Sequence, residues 1–142
     1  MKYRHALMLS CTLFSLPGGA VTLINSDEAK APPAAYVPAT RGIFRGPGVK
    51  VSSPDTSTAV PRTFDLRVNF EPRGEARIEP AATKMVYLKA TPIDLLPRVK
   101  ASASGITLEG AEVPPGEHFI QISVQDSEGR VTNSLLHLNV VK

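Results

Sequence analysis

The 142-residue chain has no tryptophan, a single cysteine and an aromatic content of only 6%. One cysteine, Cys11, excludes a disulfide framework, and CxxC redox or zinc motifs are absent. Charge bias is also missing. Lys2 and Arg4 are two of the 16 basic residues, set against 13 acidic ones. From Val49 to the C-terminus the basic and acidic side chains number 11 each. The signs alternate along the chain instead of clustering into a basic stripe, so nucleic acid is not an expected partner. Helical periodicity is lacking as well. With 13 prolines and 10 glycines, the chain does not read as a helical bundle.

What is present begins with the N-terminal segment. Lys2 and Arg4 form a positive start, Ala6 to Leu16 is an apolar run, and Pro17-Gly18-Gly19 interrupts it. Gly18 and Ala20 are the small residues that precede a cleavage point before Val21. This is the organisation of a secretory signal peptide over residues 1–20. The alternative is an uncleaved anchor, because Ala6 to Ile24 carries no charge. In that case the protein would be attached to the membrane. With the signal removed, the mature chain has no cysteine and depends on burial alone for its core.

Residues 26–48 contain four prolines and three glycines with little pattern, so residues 21–48 read as a Pro-rich, extended linker. Its apolar pair, Ile43-Phe44, could dock as an added edge strand. From Val49 the period becomes two. Phe64, Leu66, Val68 and Phe70 alternate with Asp65, Arg67 and Asn69, which marks a half-buried strand. Further strands are expected at Val49–Ser53, Met85–Lys89, Ile93–Lys100, Gly105–Glu109, Glu117–Gln125 and Val131–Val141. Pro97 would make Ile93–Lys100 an edge strand. A helical turn is expected only within Ala76–Met85. About seven short strands separated by Pro/Gly/Asp turns indicate an all-β, immunoglobulin-like sandwich over residues 49–142, with a small barrel as the alternative.

The last hairpin fixes a register. A three-residue loop, Ser127-Glu128-Gly129, with Gly129 in the left-handed region, pairs Asp126 with Arg130. Ile120 then faces Leu136 and His118 faces Leu138. A two-residue turn would instead place Asn133 on the core face opposite Ile122, burying an amide. In the favoured register Phe119 lies across from His137, and Gln121 from Leu135, all on the side away from the core. Phe119, Leu135, His137 and Gln121 are therefore the candidate partner-binding residues. Tyr87 would extend this patch if its side chain faced the same way.

Pro115-Gly116-Glu117-His118-Phe119-Ile120-Gln121-Ile122-Ser123-Val124-Gln125-Asp126-Ser127-Glu128-Gly129-Arg130 resembles the penultimate strand and hairpin of bacterial Ig-like modules. These include PKD-type and fibronectin III-like domains. The resemblance covers roughly 25 residues and implies a sandwich with a non-catalytic role. Val51-Ser52-Ser53-Pro54 and the strand after it are also similar to periplasmic copper-carrier domains of the CopC type. Those use histidines near the mature N-terminus, where this chain has none, since His5 lies in the signal.

Catalytic patterns are missing. There is no Gly-x-Ser-x-Gly elbow, phosphate loop or dinucleotide fingerprint. His118 and His137 point to opposite faces and cannot share a metal ion. Asp126-x-Glu128 reads as a turn accepting its own backbone hydrogen bonds, not as a calcium loop. No cofactor is expected. The sequence indicates an exported, non-catalytic module, periplasmic or secreted, that binds an envelope or extracellular protein. A periplasmic small-ligand or copper carrier is the alternative.

Overall fold

The computed structural model describes residues 21–36 and 45–142. Residues 1–20, expected to be a signal peptide, and the Ile43-Phe44 pair lie outside them. In chain order the elements are β1 (Val21–Thr22), α1 (Ser26–Lys30), β2 (Gly48–Ser53), β3 (Thr63–Glu71), β4 (Lys84–Tyr87), β5 (Ile93–Asp94), β6 (Lys100–Ala101), β7 (Gly105–Glu112), β8 (Gly116–Gln125) and β9 (Val131–Val140). Short 3₁₀ turns occupy Pro80–Ala82 and Leu96–Arg98.

Two sheets form the expected sandwich. In one, β7 pairs with β3 and β3 with β2, while β1 and β6 share the other edge of β7. The second sheet runs β5-β4-β8-β9. Taken as β2-β3-β7-β6 against β4-β8-β9, this is the ABED/CFG arrangement of immunoglobulin sandwiches. β5 is an addition beside β4, and β1 an addition beside β7. The period-two pattern of β3 is realised in full: Phe64, Leu66, Val68 and Phe70 are buried, and every residue between them is exposed. Ile120, Ile122, Val124, Leu136 and Leu138 complete the facing layer of the core.

Three expectations need correction. The described residues form nine strands where about seven were expected, partly because Ile93–Lys100 is not one edge strand. Pro97 sits in the 3₁₀ turn, which splits the run into β5 on one sheet and β6 on the other. A proline cannot donate to a ladder, so the chain uses this point to change sheets.

The second correction concerns residues 21–36, which are not an extended spacer. β1 pairs in parallel with Ala111–Glu112, and Leu23 and Ile24 are completely buried in the core. Pro32 accepts a hydrogen bond from the Ala90 amide, and Pro33 bridges to Lys89 on the opposite sheet. The prolines of this stretch lie in the pieces that join ordered contacts, so composition concealed the apolar pair in front of them.

The third is α1, which the sequence reading does not anticipate. A capping box starts it. Asn25 Oδ1 accepts from the Glu28 amide at 2.8 Å, and Glu28 Oε2 accepts from the Asn25 amide at 3.0 Å. The turn expected within Ala76–Met85 is the three-residue Pro80–Ala82.

Candidate partner-binding surface

The β8–β9 hairpin positions the candidate residues. Its turn is held by Asp126, whose side chain is fully shielded from solvent. Oδ1 accepts from the Glu128 and Arg130 amides at 3.0 and 2.9 Å, and Oδ2 accepts from Arg130 Nε at 2.8 Å. Burial works against its charge. The backbone and guanidinium bonds of Arg130, with that of Glu128, outweigh burial and hold the carboxyl below its ordinary 3.8. Asp126 is thus a turn residue with its oxygens in use, as the spacing suggested. Gly129 has φ 78°, the left-handed conformation that the three-residue loop requires.

That loop sets the register. Ile120 is opposite Leu136, His118 opposite Leu138, Phe119 opposite His137 and Gln121 opposite Leu135. Asn133 falls on the outer face, where its Oδ1 accepts from Ser123 Oγ at 2.6 Å. On that same face the Phe119 and His137 rings stack, with centroids 4.6 Å apart and planes 8° from parallel. Glu117 Oε1 lies 3.7 Å from His137 Nε2. The structure therefore brings Phe119, Gln121, Leu135 and His137 together as one cluster.

Two neighbours escaped the sequence reading. Val86 pairs with Gln121 across β4 and β8, and the Leu88 amide donates to Phe119 O at 2.9 Å. Both are partly buried, like Phe119 and Leu135. The signal was available: Val86 and Leu88 alternate with Met85 and Tyr87, so one pair had to face outward. The outer face of the other sheet differs. Lys50, Ser52, Asp65, Arg67, Asn69, Thr107 and Glu109 stand there, all exposed. One outer face is polar and charged, and the other carries four apolar side chains around a polar Gln121.

Tyr87 does not join the patch. It faces the core, 1% exposed, and pairs with His118 at 2.7 Å between Oη and Nδ1. His118 Nε2 lies 2.8 Å from the Pro114 carbonyl oxygen, which can only accept. Nε2 therefore carries the proton, and neutral Nδ1 accepts from the Tyr87 hydroxyl. Burial, with help from the Lys89 ammonium, keeps the imidazole below its ordinary 6.5 against the effect of the Pro114 bond. Burial and the Glu28 carboxylate push the Tyr87 hydroxyl up to about 12. Both ring nitrogens of His118 are committed inside the fold.

Among the described residues, no three His, Cys, Asp or Glu side chains converge in a way that could hold a metal ion. Nor is any helix among them long and apolar enough to cross a membrane.

No family model and no curated protein matches the sequence. Among solved structures the chain is similar to CopC from Methylosinus trichosporium OB3b. The identity is 19%, over 58% of this chain and 78% of that one, with a TM-score of 0.37. A likeness of that extent says nothing about what this chain binds.

Proposed function

We propose that this protein is an exported, non-catalytic immunoglobulin-like module that binds a protein partner of the cell envelope through the outer face of the β5-β4-β8-β9 sheet. The observation that carries the reading is the difference between the two outer faces. Val86, Leu88, Phe119 and Leu135 are not packed against the core cluster, and they sit side by side on one sheet. An apolar centre with amide and imidazole neighbours is the composition of a protein interface. Export is supported by the charged start, apolar run and small-residue cleavage point of residues 1–20.

The copper-carrier alternative finds no comparable support. His118 uses both ring nitrogens within the fold, and His137 faces the opposite side of its sheet.

The test is capture from an envelope extract by wild-type protein and by the double variant Phe119→Ser/Leu135→Ser. Arg67→Ser serves as control, because Arg67 is exposed on the outer face of the other sheet. A partner retained by wild type and by the control, and lost by the folded double variant, is the expected result. Equal retention by all three would place the interface elsewhere. Intact mass of the envelope-recovered protein tests export separately: it should begin at Val21, and a species retaining Met1 would mean an anchor.

A further inference from the structure

We propose that residues Val21–Pro33 form an acid-released strap, closed over the buried Tyr87–His118 pair at neutral pH and opened when His118 takes up a proton. The inference is independent of the outer-face reading and rests on the other end of the molecule.

The strap joins the two sheets. Its first end is β1 on β7, extended by the Leu23 and Ile24 amides, which both donate to Glu112 O at 3.0 and 3.4 Å. Its far end is the Pro33 bridge to Lys89 and the bond from the Ala90 amide to Pro32 O. In between, Arg98 clasps it, with Lys89 as a second tie. Arg98 Nη1 donates to Leu23 O and to Glu28 Oε2, each at 2.8 Å, and its Nη2 donates to Glu28 Oε1. Apart from Leu23 and Ile24, the strap offers little to the core; no residue of α1 is buried. A segment held by Leu23, Ile24, the partly buried Ala29, two cationic side chains and a few end contacts is expected to open before the sheets do.

Lys89 connects the strap to the Tyr87–His118 pair. Lys89 Nζ sits 5.0 Å over the Tyr87 ring and donates to Ala29 O of α1 at 3.0 Å. The Pro114 carbonyl that receives the His118 proton belongs to a residue lining a cavity of about 200 Å³. The other side of that cavity is Ile24, Asn25 and Ser26 of the strap.

Protonating His118 turns Nδ1 from acceptor into donor. It then meets the Tyr87 hydroxyl proton head-on, so Tyr87 Oη must turn from donor to acceptor and its buried hydroxyl proton loses its partner. The new positive charge also stands close to the Lys89 ammonium, which is tied to α1. The groups facing this site are therefore Tyr87, Lys89, and Glu28 with its partner Arg98; Glu112 and Arg62 line the cavity rim. Glu28 would attract an imidazolium, but the Arg98 guanidinium already neutralises it, and both belong to the clasp. Opening the strap lets water reach His118, which regains its ordinary affinity for protons. It also uncovers Leu23, Ile24 and the β7 edge at Ala111–Glu112.

Hydrogen exchange of the full chain, read by mass spectrometry at pH 7.5 and at steps down to pH 5, tests this after correction for intrinsic exchange. Protection of peptides spanning residues 21–33 should fall by up to about tenfold for each pH unit below 6.5 and level off once pH passes the lower value of the closed state, while β3 keeps its own. His118→Gln, which keeps a donor and an acceptor but cannot titrate, should abolish that fall. Parallel loss in the strap and in β3, or an unchanged fall in His118→Gln, overturns the proposal. If His118→Gln does not fold, Tyr87→Phe takes its place. Without the hydroxyl, neutral Nδ1 loses its donor and the protonated ring meets no opposing proton, so the acid-driven loss of strap protection should shrink; an undiminished loss overturns the proposal equally.

Discussion

Phe119 and His137 stand face to face across β8 and β9, 4.6 Å apart, on the side of the sheet that the core does not use. One residue along β8, Ile120 is fully buried opposite Leu136. The alternation of a ten-residue strand therefore sorts side chains onto two faces, a buried one beneath and an outer one above.

That sorting has a direct energetic consequence. Ile122→Ala should lower stability by about 2–5 kcal/mol, the cost of a cavity in a closed core. Gln121→Ala, its outward neighbour, should cost less than about 0.5 kcal/mol. The stacked pair contributes about 0.2–1 kcal/mol, as cross-strand contacts do. Phe119→Ser/Leu135→Ser should therefore remain folded, and denaturant melts of the three variants check the order.

Much of this was readable from residue order. A period of two in Phe64–Phe70 and His118–Val124 names the core faces without ambiguity, because sheet geometry allows only two sides. The hairpin register followed from one glycine and the cost of burying Asn133. Sequence order is less informative at the two places where long-range contacts decide. Val21–Thr22 is too short a strand to show a period, and its partner Ala111–Glu112 lies about 90 residues away in the chain. The Asn25–Glu28 capping box was a usable local signal, overshadowed by the prolines that follow it. Tyr87 could not be assigned a side until the pairing of Met85 with Ile122 was known.

The strap carries real core. Leu23 is completely buried, so Leu23→Ala should cost about 2–5 kcal/mol in chemical denaturation. A near-neutral result would mean that residues 21–36 are the spacer their composition suggests.

Among the described residues Thr132 Oγ1 is buried without a hydrogen-bond partner, against Gly46. A Cβ at Gly46 would come within 2.5 Å of that oxygen. Thr132→Val removes an unsatisfied hydroxyl at nearly constant shape and should raise stability by about 1 kcal/mol. Gly46→Ala should lower it, through the contact with Thr132. Thermal melts of both variants give the two signs.

Asp126 supplies a pH signature at the hairpin. Its carboxyl is held below its ordinary 3.8 in the fold, so the stability it contributes is present above that value. It is lost as pH falls through the lower folded value, where the native state also becomes protonated. Asp126→Asn should be less stable than wild type at pH 7, and the gap should close in strong acid. A gap that stays constant with pH would assign the loss to shape alone.

The proposed partner surface is tested most directly by site-specific photocrosslinking in the producing cell. A photoreactive phenylalanine analogue is placed at Leu135 on the β5-β4-β8-β9 face or at Arg67 on the opposite outer face. Leu135 is expected to give a discrete crosslinked protein species in the envelope fraction, and Arg67 none. Crosslinks from Arg67 with none from Leu135 would contradict the assignment of the recognition face.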